Sequence, residues 1–211
     1  MMIENNLLLD TRDSQLQEML LTVKGVDEIR EYARLKHLDQ TYGDKPYVFH
    51  LDDVSVIAYN AMKLAGVDDV SMLAVLKATY THDVLEDTAT TKDELEVEIG
   101  ESINAVKYAT KDPLHKRPEA LVALIAKTHA LDVVNNFIDL VGLVVKMSDG
   151  LANRIRSAKG SEMASERLSA TYKSELADLH PAYATHQGKD FAHARLGETY
   201  LILLAALALY L

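Results

Sequence analysis

Apolar residues in this chain recur every three or four positions and nowhere alternate over the length of a strand. That period is the strongest constraint on the fold, because a chain patterned this way buries its apolar face only as helices. Leu16, Met19, Leu20 and Val23 make one stripe, and Val26, Ile29, Tyr32, Ala33 and Leu35 make another. Val54 to Leu64 reads as a helix ended by Gly66, and Val70 to Leu85 as a second long helix with Asp68 and Asp69 as caps. Thr91 and Glu94 have the capping-box spacing and start a short helix that ends near Gly100, with another over Glu101 to Ala109. Pro118 suits the first position of a helix, where its missing N–H is not needed. Val133–Ser148 is strongly apolar and expected to be central, and Gly160 separates its extension from a last pair of helices. Loops are expected near 40–47, 87–91 and 110–118. Nine glycines and four prolines in 211 residues agree with an all-α bundle.

Composition removes whole classes of function. There is no cysteine, which excludes disulfide scaffolds, thiolate zinc sites and cysteine nucleophiles. Acids outnumber lysine plus arginine by 32 to 22, a net charge of −10 and the wrong sign for a general nucleic-acid binder. A small anionic ligand held through a metal stays compatible with that charge. The most apolar stretch, Tyr200–Leu211, is twelve residues long, short of the ~20 that span a bilayer. It reads as a buried helix, with a partner-binding helix as the alternative. The N-terminus lacks the basic start and long apolar centre of a signal peptide, so a cytoplasmic location is expected.

Three short pieces carry chemistry: Lys45–His50, Thr81–Thr88 and Val145–Asn153. In the second, His82 and Asp83 end an otherwise apolar helix, and Glu86 and Asp87 follow four residues after each. On a helix those positions share a face, so three carboxylates and an imidazole fall within a small area. Carboxylates that close repel one another, and a divalent cation removes the penalty. A solvated acidic helix end is the competing interpretation. Asp149 follows the apolar run Phe137–Met147 and needs a partner, and Asn153 shares its face. Alone, that Asp reads as an ordinary helix end and His50 as a structural residue; the set together makes the case for metal. His37, His115, His129, His180, His186 and His193 have no such spacing and read as structural or surface residues.

A single His, a His-Asp pair and a distant Asp resemble the signature of the HD-type metal-dependent phosphohydrolases. Within them the chain most resembles the RelA/SpoT-like small alarmone hydrolases. The strings that carry the resemblance are PYVFH (46–50), HDVLEDT (82–88), TKDELEVEIGESINAVKYATK (91–111), VKMSDGLANRIRS (145–157) and YKSELADLHP (172–181). The resemblance covers roughly 30–182. It implies a single HD hydrolase domain over 1–211, with a core of about 25–182 and a C-terminal helical extension over 183–211. It also implies that His50, His82, Asp83 and Asp149 ligate a divalent metal, that Glu86 and Asp87 do the acid–base work, and that Asn153 contacts the nucleotide sugar. Two imidazoles and two carboxylates suit Mn2+ and equally Fe, Co, Ni or Zn, since ligand type does not choose among them; Mn2+ is the ion expected.

The implied reaction removes the 3′-diphosphate of ppGpp or pppGpp, giving GDP or GTP and pyrophosphate. Such a substrate needs local cations, and Lys146 and Arg154 head the candidates, with Lys45, Lys111 and Arg156 behind them and Tyr42 as a base-stacking residue. The family's Arg-Lys-Ser-like base-holding stretch reads Thr41-Tyr42-Gly43 here. Its His-Pro reads His50-Leu51, and its Asp-Arg-Leu-His-Asn reads Asp149-Gly150-Leu151-Ala152-Asn153. An HD phosphohydrolase acting on another nucleotide (a deoxynucleotide or NADPH) and a non-catalytic nucleotide-sensing module therefore stand as alternatives. The expected partner is a small anionic nucleotide, with no nucleic acid and no membrane; the C-terminal helix completes either the core or a homo-oligomer interface.

Overall fold

The structure, a computed structural model, describes residues 11–112, 114–158, 166–191 and 193–211. The start of the N-terminal stretch and the break expected at Gly160 lie outside the described residues. The described chain is all-α apart from one two-residue hairpin. Its helices are α1 (Arg12–Thr22), α2 (Val26–Lys36), α3 (Val48–Ala65), α4 (Asp69–Thr81), α5 (Val84–Asp87), α6 (Lys92–Ile99), α7 (Ile103–Ala109), α8 (Arg117–Ala130), α9 (Phe137–Ala158), α10 (Glu166–Ala184) and α11 (Ala194–Ala208). The hairpin pairs β1 (Thr41–Tyr42) antiparallel with β2 (Lys45–Pro46) inside the expected 40–47 loop.

Two helices form the centre. Every residue of α3 from His50 to Met62 is buried, and Leu140, Val141, Leu143, Val144, Val145 and Met147 of α9 are fully so. A helix apolar all round is stable only when enclosed, and α9 is enclosed by α3, α4, α7, α10 and α11. Gly142 lets α7 approach closely, because a Cβ there would meet the Tyr108 ring at 2.8 Å. The apolar cluster includes Leu16 and Met19 of α1 and Leu196, Tyr200, Leu203 and Leu207 of α11. The buried apolar cluster thus draws on residues on both sides of 25–182. No helix among the described residues is long and apolar enough to cross a membrane.

Several boundaries differ from expectation for identifiable reasons. Helix α3 starts at Val48 rather than Val54, because its two early aspartates are buried and paired with arginines. The helix expected over Val70–Leu85 stops at Thr81, and a turn at His82–Asp83 leads into the four-residue α5. Asp68 caps α4 through the N–H groups of Val70 and Ser71. The Thr91–Glu94 capping box is present. The α8 helix starts one residue before Pro118, and α9 starts at Phe137, four residues after the start of the apolar run, and continues through its extension to Ala158.

Candidate active site

His50 lies in the first turn of α3, His82 and Asp83 in the turn after α4, and Asp149 on α9. Because α3, α4 and α9 pack on one another, these residues meet at one place. The ligand atoms of His50, His82 and Asp83 all lie within 4.8 Å of one another. Asp83 Oδ2 is 3.0 Å from His82 Nε2 and 3.8 Å from His50 Nε2. Asp149 Oδ1 lies 3.5 Å from His50 Nε2 and 3.9 Å from His82 Nε2.

The surroundings prepare these side chains for a cation. His82 Nδ1 is 2.7 Å from the Thr79 carbonyl, an acceptor that fixes the proton on Nδ1. Nε2 is then the nitrogen that faces the carboxylates, and it is buried without an aligned hydrogen-bond partner. A buried ring nitrogen among carboxylates is costly unless something occupies the space between them. An imidazole whose other nitrogen is held by a carbonyl is the usual arrangement of a metal-bound histidine. The mixed nitrogen and oxygen donors fit a divalent cation. Burial disfavours charge on His82, but Asp83 outweighs it and raises the ring to about 9. Burial pushes Asp83 up, and His82 beside it more than reverses this and holds it below the usual carboxylate range. Asp149 is likewise driven low, its burial overcome by Lys146, whose Nζ donates to Oδ2 at 2.9 Å.

Around this cluster opens a cavity of about 590 Å³, within the usual range for small-molecule sites. Its polar end holds His50, Asp83, Glu86, Lys146, Asp149 and Asn153. Its far wall is apolar, formed by Leu121 and Leu124 of α8 and Leu176 and Leu179 of α10. Glu86 Oε1 accepts the Lys111 N–H at 2.5 Å, and burial still pushes its carboxyl above the usual range. Asp87 is also raised, by burial first and by Asp83 second. Glu86 lines the cavity whereas Asp87 does not; Asp87 is reached through the Tyr47 hydroxyl, which lies 3.4 Å from its Oδ2.

The candidate substrate contacts divide clearly. Asn153 and Lys146 line the cavity, and Asn153 Nδ2 donates to Asp149 Oδ1 at 2.7 Å. Tyr42 lines it too, stacked on His50 at 4.7 Å, with its hydroxyl donating to Asn153 Oδ1 at 3.0 Å. Arg154 is a correction. Five residues beyond Asp149 it is turned by about 140° around α9, and it donates to the carbonyls of Ser169 and Tyr210 instead. Lys45 is also off the cavity, half-exposed on the hairpin beside Asp44. Arg156 faces Asp53. Lys111 lines the cavity, as do two cationic residues the sequence did not single out, Arg117 and Lys127, and the imidazole of His115. His115 was expected to be structural or on the surface; its loop carries it to the cavity mouth.

Tyr47 is the main residue that sequence reasoning passed over. Its hydroxyl donates to Asp83 Oδ2 at 2.6 Å, and its ring stacks on His37 at 4.6 Å. The adjacent pair Asp52-Asp53, in the midst of an apolar helix and one turn from His50, was a readable signal that went unused.

No protein-family model matches the chain, and no curated protein matches it. Among solved structures the fold is similar to that of a metazoan ortholog of SpoT, a protein that hydrolyzes ppGpp and plays a role in starvation responses. The TM-score is 0.61 and the identity 22%, over 83% of this chain and 93% of that one. At that identity the likeness establishes the shared all-α fold.

Proposed function

We propose that this chain is a metal-dependent phosphohydrolase that removes the 3′-diphosphate of ppGpp or pppGpp, with Mn2+ as its resident ion. The observation that carries the proposal is the convergence of His50, His82, Asp83 and Asp149 beside an open cavity that a raised carboxyl, Glu86, also lines. The activity of the structurally similar SpoT ortholog supports the choice of substrate.

His50, His82, Asp83 and Asp149 would hold the ion. When bound, a divalent ion supplies charge neutralisation at phosphate and a water that is easier to deprotonate. The rest falls to side chains. Glu86 takes a proton from the attacking water, which forms a new oxygen bond to the phosphorus attached to the 3′-oxygen. The bond between that phosphorus and the 3′-oxygen breaks, the proton passes to the 3′-oxygen, and pyrophosphate leaves. A carboxyl raised above its ordinary range is the better proton carrier near neutrality. Asp87, also raised and 3.4 Å from the Tyr47 hydroxyl, is the second carboxyl available for acid–base work. Lys146, Lys111 and Lys127 offset the negative charge of the substrate, which the acidic chain as a whole repels.

A second reading has its own observation. Tyr42 occupies the hairpin side of the site and Lys45 on the same hairpin does not line the cavity, so among the described residues the hairpin offers no cation to hold a guanine edge. The same machinery would then serve another nucleotide. Incubating Mn2+-loaded protein with ppGpp, a set of deoxynucleoside triphosphates and NADPH separates the two. Pyrophosphate and GDP from ppGpp support the proposal. Triphosphate from a deoxynucleotide, or single phosphate from NADPH, with ppGpp left intact, overturns it. Glu86→Gln is expected to lower kcat by about 10²- to 10⁴-fold while the protein binds Mn2+ as before.

A further inference from the structure

Behind His50, α3 carries a second charged cluster. Asp52 and Asp53, two and three residues further on, are 2% and 0% exposed. Adjacent buried carboxylates are costly unless paired and fully hydrogen-bonded. Three arginines from three other helices pair them. Arg30 of α2 forks Asp52, with Nε to Oδ1 at 2.7 Å and Nη2 to Oδ2 at 2.9 Å. Arg156 of α9 forks Asp53, with Nε to Oδ2 at 2.6 Å and Nη2 to Oδ1 at 2.9 Å. Arg12 of α1 bridges the two acids, with Nε to Asp53 Oδ1 at 2.7 Å and Nη2 to Asp52 Oδ2 at 3.1 Å. The Tyr80 hydroxyl of α4 donates to Asp52 Oδ1 at 3.0 Å. The guanidinium groups of Arg12 and Arg156 both lie over the Phe49 ring, 4.1 and 4.6 Å from its centre.

The spacing of these contacts along the chain gives the network its meaning. Asp53 is three residues from His50, Tyr80 is two from His82, and Arg156 is two helical turns from Asp149 on the same face. The cluster thus touches each of the three ligand-bearing segments close to its ligand. Stability alone is a poor reason for such a cluster, since well-packed apolar residues of similar volume often serve as well or better. A planar fork, unlike an apolar contact, fixes both the distance and the rotation between two helices. Sites that need donors held within a fraction of an ångström depend on such support.

We infer that Asp52, Asp53 and the arginines at 12, 30 and 156 form a positioning frame that sets the mutual placement of His50, His82 and Asp149. The inference rests on the metal-centre reading above. It also gives α1 a part in the site, since Arg12 is the residue that joins the two halves of the frame.

The test uses the full chain stripped with a chelator, with Mn2+ titrated calorimetrically and thermal unfolding of the metal-free protein recorded alongside. Arg156→Met is expected to weaken Mn2+ binding by about tenfold or more. Arg156→Lys should recover only part of this, because an ammonium cannot fork a carboxylate. Arg30→Lys is the milder variant should Arg156→Met not fold, and it should also weaken binding. Arg195→Met is the control: Arg195 donates to the Ala65 carbonyl at the far end of α3, so its loss should lower Tm and leave Mn2+ affinity alone. Wild-type Mn2+ binding kept unchanged in Arg156→Met and Arg30→Lys, with only Tm lowered, would overturn the frame. Absence of Mn2+ binding in the wild type overturns the metal-centre reading and the frame with it.

Discussion

His82 does two jobs that oppose each other in pH. In the metal-free protein its ring is raised from 6.5 to about 9, with Asp83 overcoming the cost of burial. A group raised on folding contributes stability that is complete below its unfolded value and is lost as pH climbs through its folded one. Metal-free protein should therefore lose stability between pH 6.5 and about 9. A cation displaces that same proton, so Mn2+ affinity should rise over the same window, by up to about tenfold per pH unit. Calorimetry at several pH values checks the slope, and a flat profile would mean that His82 is not a ligand. At this scale the sequence was most informative about the residues whose cost is local. An adjacent His and Asp in an apolar helix demand a partner whatever the fold. Arg154 and Arg156 are not separable by such reasoning: the helix phase of α9 turns Arg154 away, whereas Arg156 shares the face of Asp149 and is taken up by Asp53. Tyr47 escaped because a hydroxyl on a tyrosine ring gives no sign in sequence of which carboxylate it will meet.

Helices were legible where the apolar stripe and the cap coincided, as with Asp68 before α4 and Thr91 before α6. Thr91→Ala should cost about 0.5–2 kcal/mol of stability and leave kcat unchanged, read from denaturant unfolding and steady-state kinetics of the same sample. The boundaries misread were those set by partners distant in sequence. The early start of α3 depends on arginines at 12, 30 and 156, and its two aspartates look like a loop until those are in place. The break after α4 turns His82 and Asp83 toward α3 and α9, which a straight helix would not do. Gly142 shows how closely one element constrains the site. Gly142→Ala should push the Tyr108 ring, 2.8 Å from the added carbon, towards the cavity it lines. The expected result is a raised KM with Mn2+ affinity preserved.

The molecule as a whole is an acidic helical body with a cavity beside the His/Asp cluster that is lined mainly by α8, α9 and α10. Its class followed from the helical period alone, whereas the extent of its core did not. Residues of α1 and α11 share the apolar cluster of α3 and α9, so the terminal helices belong to the folding unit. Leu203→Ala, at a fully buried position of α11, should cost about 2–5 kcal/mol in one cooperative transition rather than melt a separate segment. The measurement that bears most directly on the central claim is metal stoichiometry in chelator-stripped protein, by titration of wild type, His50→Ala and Asp149→Ala. One Mn2+ per wild-type chain is expected, with binding weakened by orders of magnitude in both variants. Wild-type protein that takes up no stoichiometric metal, or variants that bind it equally well, would contradict that claim.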